Sequence, residues 1–459
     1  MNTLFNRNFL KKVSVIFAAV VFSSVVFAQE AVAEEENKEP AAQEDVIVLT
    51  VQDAVDYSNK NSLTLKSSEI DLELAKWKKN VAWNTFLPTA QVRGTMARAN
   101  DIKPYPEDES LHWTAMGDLS LSFNFNVAMI YNMSATIASY ESGKLTWEEA
   151  VKSNELNVKK LFYALLLQQE SLNLQKASLE NARQRMNQAA TNYRNGYIPQ
   201  ISYLQTQVAY ENQVPTVEKA EAAMRQSLDT FTFIIGMPIG TKVRLEGEIN
   251  PEYVDVDVDS LVEKSLENNL SVKSLKQSIK TLKMQSTALG LSTYTPSLAL
   301  SWNGNPVITN ALKNDWGEKD NWKDNGALSF SLVWNITNML PWSSNGTTAK
   351  ELSANIDKLE TNLEVLRRNT ELEIRTAVDS LNQSKKAIES SQRNITLAQK
   401  SYDMTWQAYI NGTTEYLNLK EAETQLNQAK LGLANEKYNY MTNLMDLENK
   451  VNTTLSGDK

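Results

Sequence analysis

The sequence has no cysteine in its 459 residues and a single histidine, His112. Without cysteine there can be no disulfide, no thiolate metal site and no Cys nucleophile. Acylation of an N-terminal Cys is excluded too, so any membrane attachment has to come from the fold. One histidine cannot build a His-rich metal cluster and makes a Ser-His-Asp triad implausible; His112, beside Trp113, reads as a solvated loop residue. Helix breakers are scarce, with 15 Gly and 11 Pro, which favours long uninterrupted helices. Positive charge is also short. A formal net charge of −9 argues against a nucleic-acid partner, because neutralising phosphates needs a basic patch. The chain has no phosphate loop, metal-ligand spacing or nucleophile elbow. Asp255, Asp257 and Asp259 alternate with Val254, Val256 and Val258, but lack the glycine and distal glutamate of a calcium loop. They read as a linker. Glu371 and Glu373 read as a solvated helix face and Glu34-Glu35-Glu36 as a solvated tail. No cofactor, no metal and no catalytic residue is expected; the chain does not read as an enzyme.

Long apolar runs are absent beyond the N-terminus, so no membrane-spanning helix is expected after it. The N-terminus itself reads as a secretory signal. Arg7, Lys11 and Lys12 precede an apolar run from Val13 to Val26, and cleavage fits after Ala28 or Ala33. Residues 1–28 are assigned to the signal. Residues 29–48, acidic and containing Pro40, are expected to be a disordered lead-in, and 456–459 a tail.

What remains repeats itself. Leu63-Thr64-Leu65-Lys66-Ser67 recurs as Leu270-Ser271-Val272-Lys273-Ser274, Thr85-Phe86-Leu87-Pro88-Thr89 as Thr293-Tyr294-Thr295-Pro296-Ser297, and Tyr193-Arg194-Asn195-Gly196 as Tyr409-Ile410-Asn411-Gly412. The order is kept and the offset grows only from 207 to 216. Two homologous halves follow, 49–250 and 251–455, each reading helix, two strands, then two helices. The helices show a seven-residue seam. Val151, Asn154, Val158, Leu161, Leu165, Gln168, Leu172, Gln175, Leu179, Ala182, Met186, Ala189 and Tyr193 step by three and four, and Ile374 to Tyr409 repeats the pattern. Such a repeat imposes left-handed supercoiling. Its Gln, Ser, Asn and Ala positions suit helices packed side by side in a wall better than an isolated dimer. Gly196 and Gly412 are expected to end the long helices in a left-handed conformation, with turns at about 195–200 and 411–414. The return helices follow, the first containing Pro215, which should kink it.

Between helices the period changes to two. Leu119, Leu121, Phe123, Phe125 and Val127 alternate with Asp118, Ser120, Ser122, Asn124 and Asn126. Leu328, Phe330, Leu332, Trp334 and Ile336 do the same in the second half. Leu298, Leu300 and Trp302 form a weaker partner strand, as do Ala90, Val92, Gly94 and Met96. Each half therefore yields a hairpin, about 88–129 and 296–337, with polar tips at Asn100–Ser110 and Asn303–Asn325. Four strands cannot close a barrel, for which about eight is a practical minimum. Three copies give twelve. The expected fold is an α+β membrane protein built from duplicated helix–β-hairpin–helix halves. Four strands per subunit join a trimeric 12-stranded outer-membrane β-barrel, continued by a long α-helical coiled-coil tunnel in the periplasm. Leu119, Leu121, Phe123, Phe125, Leu298, Leu300, Trp302, Leu328, Phe330, Leu332 and Trp334 are expected to face lipid. A rival reading, a periplasmic coiled-coil scaffold or adaptor without a pore, explains the heptads but not two alternating hairpins placed symmetrically in the halves.

The duplicated plan resembles the TolC family of outer-membrane efflux proteins over nearly all of the sequence beyond the signal. Leu87-Pro88 and Thr295-Pro296 before the first strands, the Tyr-x-x-Gly turns, and Phe233-Ile234-Ile235-Gly236-Met237-Pro238 at the end of the first half carry the resemblance. It implies a homotrimeric duct for toxic small molecules or unfolded polypeptide, as in drug export or type I secretion. The duct would dock on a periplasmic adaptor (a membrane fusion protein) and an inner-membrane pump of RND, ABC or MFS type. Tyr193, Asn195, Gly196, Tyr409, Asn411 and Gly412 would form the docking rim. In the family an Arg and two inward Asp follow the second turn. Here those positions hold Thr414, Asn418 and Glu421, and a further family Asp corresponds to Ser202. The resemblance thus implies an entrance without the family's ionic latch, held by a neutral network around Tyr409, Thr414 and Ser202 and leakier at rest.

Overall fold

The computed structural model describes residues 46–99 and 113–455. The signal segment, Glu34-Glu35-Glu36, the tip Asn100–Ser110, His112 and the tail 456–459 lie outside the described residues. The first half runs β1 (Ile47–Leu49), α1 (Val51–Asn61), α2 (Leu63–Asn80), β2 (Thr89–Arg98), β3 (Trp113–Phe125), α3 (Ala128–Arg194), α4 (Gln200–Ile235) and β4 (Val243–Leu245). The second runs α5 (Val258–Asn268), α6 (Leu270–Tyr294), β5 (Ser297–Gly304), β6 (Pro306–Thr309), β7 (Trp322–Asp324), β8 (Ala327–Val333), α7 (Ser344–Ile410) and α8 (Tyr416–Val451). Three of the four matching helix pairs have equal lengths, 11 residues in α1 and α5, 67 in α3 and α7, and 36 in α4 and α8, while α2 has 18 and α6 has 25. At about 1.5 Å per residue each long helix is about 100 Å long.

The described residues form two compact units, a sheet unit (Trp83–Met129 and Leu291–Leu340) and a helical unit (46–82, 130–290 and 341–455). In the helical unit the heptad positions supply the cores. Val158, Leu165 and Leu172 of α3 pack with Phe162, Phe231 and Ile235. Ile374, Leu381 and Ile388 of α7 pack with Tyr440, Leu444 and Leu447. Each fully buried side chain of this size contributes about 1.5–3 kcal/mol. The two cores are finished by chain segments the sequence left open. The expected lead-in to residue 48 ends early, because Ile47–Leu49 pairs in parallel with Val243–Leu245, placing Leu49 and Leu245 in the first core. The Asp-Val linker packs Val254, Val256 and Val258 on the second core. There the Val254 N–H donates to the Tyr440 hydroxyl at 3.0 Å, and Asp259 pairs with Arg375 at 3.0 Å. Glu371 and Glu373 are exposed ion-pair partners of Arg375 and Lys450. Pro215 lies inside α4, which continues unbroken through it.

All four helices after the hairpins end the same way. Gly196, Gly236, Gly412 and Asn452 have φ of 76°, 86°, 72° and 54°. At each, the N–H of the left-handed residue returns to the carbonyl three residues back and the next N–H to the carbonyl five back. This Schellman pairing satisfies the last helical carbonyls. The positions repeat at the offset of 216, Gly196 with Gly412 and Gly236 with Asn452.

In the sheet unit β2, β3, β5 and β8 form one antiparallel sheet in that order. Directly paired residues share a face. Val92 lies opposite Leu119, Leu121 opposite Trp302, Phe123 opposite Leu300, Phe125 opposite Leu298, and Leu298, Leu300 and Trp302 opposite Leu332, Phe330 and Leu328. The expected apolar positions thus make one continuous face, and Ser120, Ser122, Ser301, Ser329 and Ser331 lie on the other. Two details differ. β8 ends at Val333, so Trp334 and Ile336 lie beyond the strand, Ile336 opening a 3-10 turn. The tip Asn303–Asn325 is not a plain polar loop. It contains β6 and β7, β6 pairing with Thr114–Met116 of β3, around a small core of Ile308, Ala311, Ala115 and Trp322. The Trp316 and Trp322 indole N–H groups donate to the carbonyls of Ala311 and Trp316, which ties the loop down. Among the described residues the sheet therefore has six strands rather than four, of which four run its length.

The glycines offer a direct check. A Cβ at Gly196 would meet nothing within 4 Å, whereas one at Gly236 would sit 2.4 Å from the Asn61 carbonyl oxygen. Gly196→Ala is expected to cost about 1 kcal/mol, the left-handed strain alone. Gly236→Ala must cost more, because backbone has to move. Equal shifts in melting temperature for the two variants would contradict this.

Candidate functional site

Two regions stand out, one in each unit. In the sheet unit the apolar face is solvent-exposed: Val92 is 83% exposed, Leu328 73%, Phe330 70% and Leu332 68%. The other face of the same strands is polar; Ser301 and Ser329 hydroxyls, for example, are 2.6 Å apart. An apolar surface of this continuity marks a membrane or partner contact. Among the described residues, β2 pairs only with β3 and β8 only with β5, so both outer edges of the long sheet are open. No described helix is long and apolar enough to cross a membrane.

In the helical unit the two glycine turns carry clustered aromatics. Tyr193 stacks on Tyr203, with ring centroids 5.9 Å apart and nearly parallel. Tyr409 touches both Trp406 and Tyr416. Asn195 and Asn411 occupy the helix caps just before Gly196 and Gly412. Beyond the second turn Thr414, Asn418 and Glu421 line one shallow groove with Ser401, Thr405 and Gln425. The Asn418 amide donates to the Thr414 hydroxyl at 3.0 Å, and the Gln425 amide reaches Glu421 at 3.4 Å. Within the single chain, Thr414, which precedes α8, accepts from Asn418, Tyr409 makes ring contacts, and Ser202 sits in the first turn of α4, its N–H donating to the Pro199 carbonyl.

A charged centre that the sequence reading missed lies close by. Arg185 of α3 and Glu423 of α8 form a two-pronged ion pair, with Nη1 to Oε2 at 2.8 Å and Nη2 to Oε1 at 3.0 Å. Both side chains are only 5% exposed. Asn181 donates a further hydrogen bond to Glu423 at 3.2 Å. Lys420 stands 3.8 Å from it, and the guanidinium lies 5.8 Å from the centre of the Trp406 ring. Burial alone works against the Arg185 charge, but the hydrogen bonds and charge of Glu423 outweigh it and raise its pKa. Burial lowers the pKa of Lys420 and raises that of Tyr416 in the same cluster. One signal was legible. Arg185 falls between buried Ala182 and Ala189, and Glu423 among buried Leu419, Ala422 and Leu426. Both charges therefore stand on core stripes. Their separation of 238 residues kept the pairing itself out of sight.

With this geometry in hand, the chain can be set beside known proteins. Residues 55–237 match the sequence model of the outer membrane efflux protein family. No curated protein matches the chain. Among solved structures it is similar to the Campylobacter jejuni CmeC outer membrane channel, at TM-score 0.73 and 16% identity, covering 89% of this chain and 87% of that one. It is also similar to the outer membrane protein VceC of Vibrio cholerae (TM-score 0.68, 12% identity, 88% and 97% covered). A third is the Neisseria gonorrhoeae MtrE outer membrane channel in its open state (0.69, 13%, 88% and 89%). The efflux-protein segment covers the first half nearly end to end, and the structural similarity carries the fold across both halves.

Removing one partner of a buried ion pair leaves the other charge uncompensated, at about 3–5 kcal/mol, while an apolar pair of similar volume is often neutral. Glu423→Leu is therefore expected to lower the melting temperature strongly, and Arg185→Met added to it to restore most of the loss. Additive losses in the double variant would show that the pair is not isolated from water.

Proposed function

We propose that this protein is the outer-membrane subunit of a tripartite efflux system, a passive duct. It would take substrate from an inner-membrane pump through a periplasmic adaptor and release it outside. The observation that carries this reading is the exposed apolar sheet face between two open edges, in a chain whose first half matches the efflux family. A periplasmic scaffold would leave that face in water without use. In lipid the face is solvated, and the free edge of β2 finds the free edge of β8 on a second copy; three copies then close twelve long strands.

The helical unit supports the same closure. Contacts place α2 against α3 (Lys79 over the Tyr140 ring), α3 against α6 (Gln277 to the Ala138 carbonyl) and α6 against α7 (Lys283 to Glu360). The unpartnered members keep apolar residues in water at helical spacing. α2 shows Leu63, Ile70, Leu74 and Trp77, and α7 shows Val365 and Leu372. In the proposed trimer these stripes meet between neighbouring copies. The rim of Tyr193, Asn195, Gly196, Tyr409, Asn411 and Gly412 would receive the adaptor, and Thr414, Asn418 and Glu421, with Ser202 nearby, would line the entrance.

The test is planar-bilayer conductance of detergent-purified protein, with oligomeric mass taken from the same sample. A trimer giving discrete current steps is expected, and a soluble, silent monomer would defeat the reading. With acidic residues in excess, reversal potentials in a salt gradient should show cation preference. Trp77→Asp is expected to reduce the trimer fraction in detergent, and an unchanged fraction would remove α2 from the contact.

A further inference from the structure

The polar face of the long sheet is almost free of charge. Hydroxyl and amide side chains make up most of it, as at Ser120, Ser122, Ser301 and Ser329. Within β2, β3, β5 and β8 this face carries two charged residues, Arg93 and Asp118. The register sets them directly opposite each other, where Cβ atoms stand about 4.5–5.5 Å apart. The row continues across the sheet. β3 meets β5 and β6 in one unbroken register, Leu119 with Gly304 and Met116 with Val307. That register brings Asn305 opposite Asp118. The Asn325 N–H donates to the Asn305 carbonyl at 3.1 Å and extends the row by one strand. Arg93, Asp118, Asn305 and Asn325 thus lie side by side across one copy. Lys323 shares the face one row nearer the hairpin tips, paired with Val307. The acidic excess of the chain therefore does not lie on this face.

We infer that Arg93 and Asp118 form a charge-balanced girdle in the lumen of the barrel and set its preference between cations and anions. The inference rests on the duct reading, under which three copies of the row line the lumen. Three guanidinium groups and three carboxylates then alternate around it, with amides between. Charged rings decide which ions pass a pore, because a wall of low dielectric focuses their field into the lumen. On the long strands no other charge on this face competes with them. Arg93 draws the anionic groups of a passing solute and Asp118 the cationic ones. Set opposite each other, the two cancel at a distance and act close to the wall. The barrel then passes solutes of either sign, and removal of one partner uncovers the other. Both residues lie on the wetted side of the strands and touch the solute directly; neither is part of a core.

Reversal potentials of the full-length trimer in planar bilayers, under a potassium chloride gradient, test this. Arg93→Gln should raise the potassium-to-chloride permeability ratio about twofold or more near 0.1 M salt, where the Debye length is about 10 Å. Asp118→Asn should lower it by a similar factor, and the two together should return it to the unaltered value. Each shift should shrink near 1 M salt, where the Debye length falls to about 3 Å. Arg98→Gln is the control, because Arg98 stands on the apolar face opposite Trp113. Its ratio should stay unchanged; a shift equal to that of Arg93→Gln would overturn the face assignment and the girdle with it. A conducting trimer indifferent to Arg93→Gln and Asp118→Asn would overturn the girdle and leave the duct standing, whereas a silent monomer would defeat both. For a trimer that is silent, thiol labelling decides, since the chain has no native cysteine. Ser120→Cys lies one row from the pair. Its labelling by a cationic relative to an anionic methanethiosulfonate should rise with Arg93→Gln and fall with Asp118→Asn. Equal ratios in all forms would refute the girdle.

Discussion

An antiparallel sheet with two open edges and an apolar face in solvent is not a finished object in water. Its outer N–H and C=O groups need partners, and its leucines and phenylalanines need a non-aqueous neighbour. Charge, proline or a covering helix would blunt such edges in a soluble protein. Here the apolar face of β8 carries no charge or proline, and that of β2 carries only Arg98, at its last residue. The same incompleteness recurs in the helical unit, where α2 and α7 keep heptad-spaced apolar residues unburied. Closure into a ring with lipid outside resolves all of these demands at once, which is why the proposed assembly is argued from the single chain.

Duplication makes this economical in sequence but imposes a symmetry that function has to break. Equal lengths in three of the four helix pairs and matched Schellman ends show how closely the halves keep one backbone plan. Side chains depart from it at chosen places. Asn452 takes the left-handed position that Gly236 takes in the first half, at more strain, and its side-chain amide donates to the carbonyl of Asn268, the counterpart of Asn61. The larger departure is the buried ion pair of Arg185 with Glu423, whose counterparts at the same offset, Ser401 and Gln207, carry no charge.

The architecture was legible because it rests on periods. A seam repeating every seven residues and strands alternating every two fix helix, strand and face from local spacing, and the three echoed motifs fix the duplication. The face assignment held through the register, Leu121 opposite Trp302 and Leu300 opposite Phe330, because a slip by one residue would have turned serines outward. Elements set by long-range contact stayed hidden. β1 is three residues long and depends on β4 nearly two hundred residues later. β6 and β7 pair inside a segment whose composition is that of a loop, and only Ile308, Ala311 and Trp322 hint at a core there. The buried ion pair is hidden in the sequence because its partners stand 238 residues apart, each a single charge on an otherwise apolar stripe.

The buried pair of Arg185 and Glu423 differs in kind from the exposed ion pairs of the helical unit. Exposed pairs at a wet rim contribute little, typically below about 1 kcal/mol, and are screened by salt. A pair shielded by Trp406, Tyr416 and the alanines of α3 escapes that screening, and its two-pronged geometry fixes rotation as well as distance.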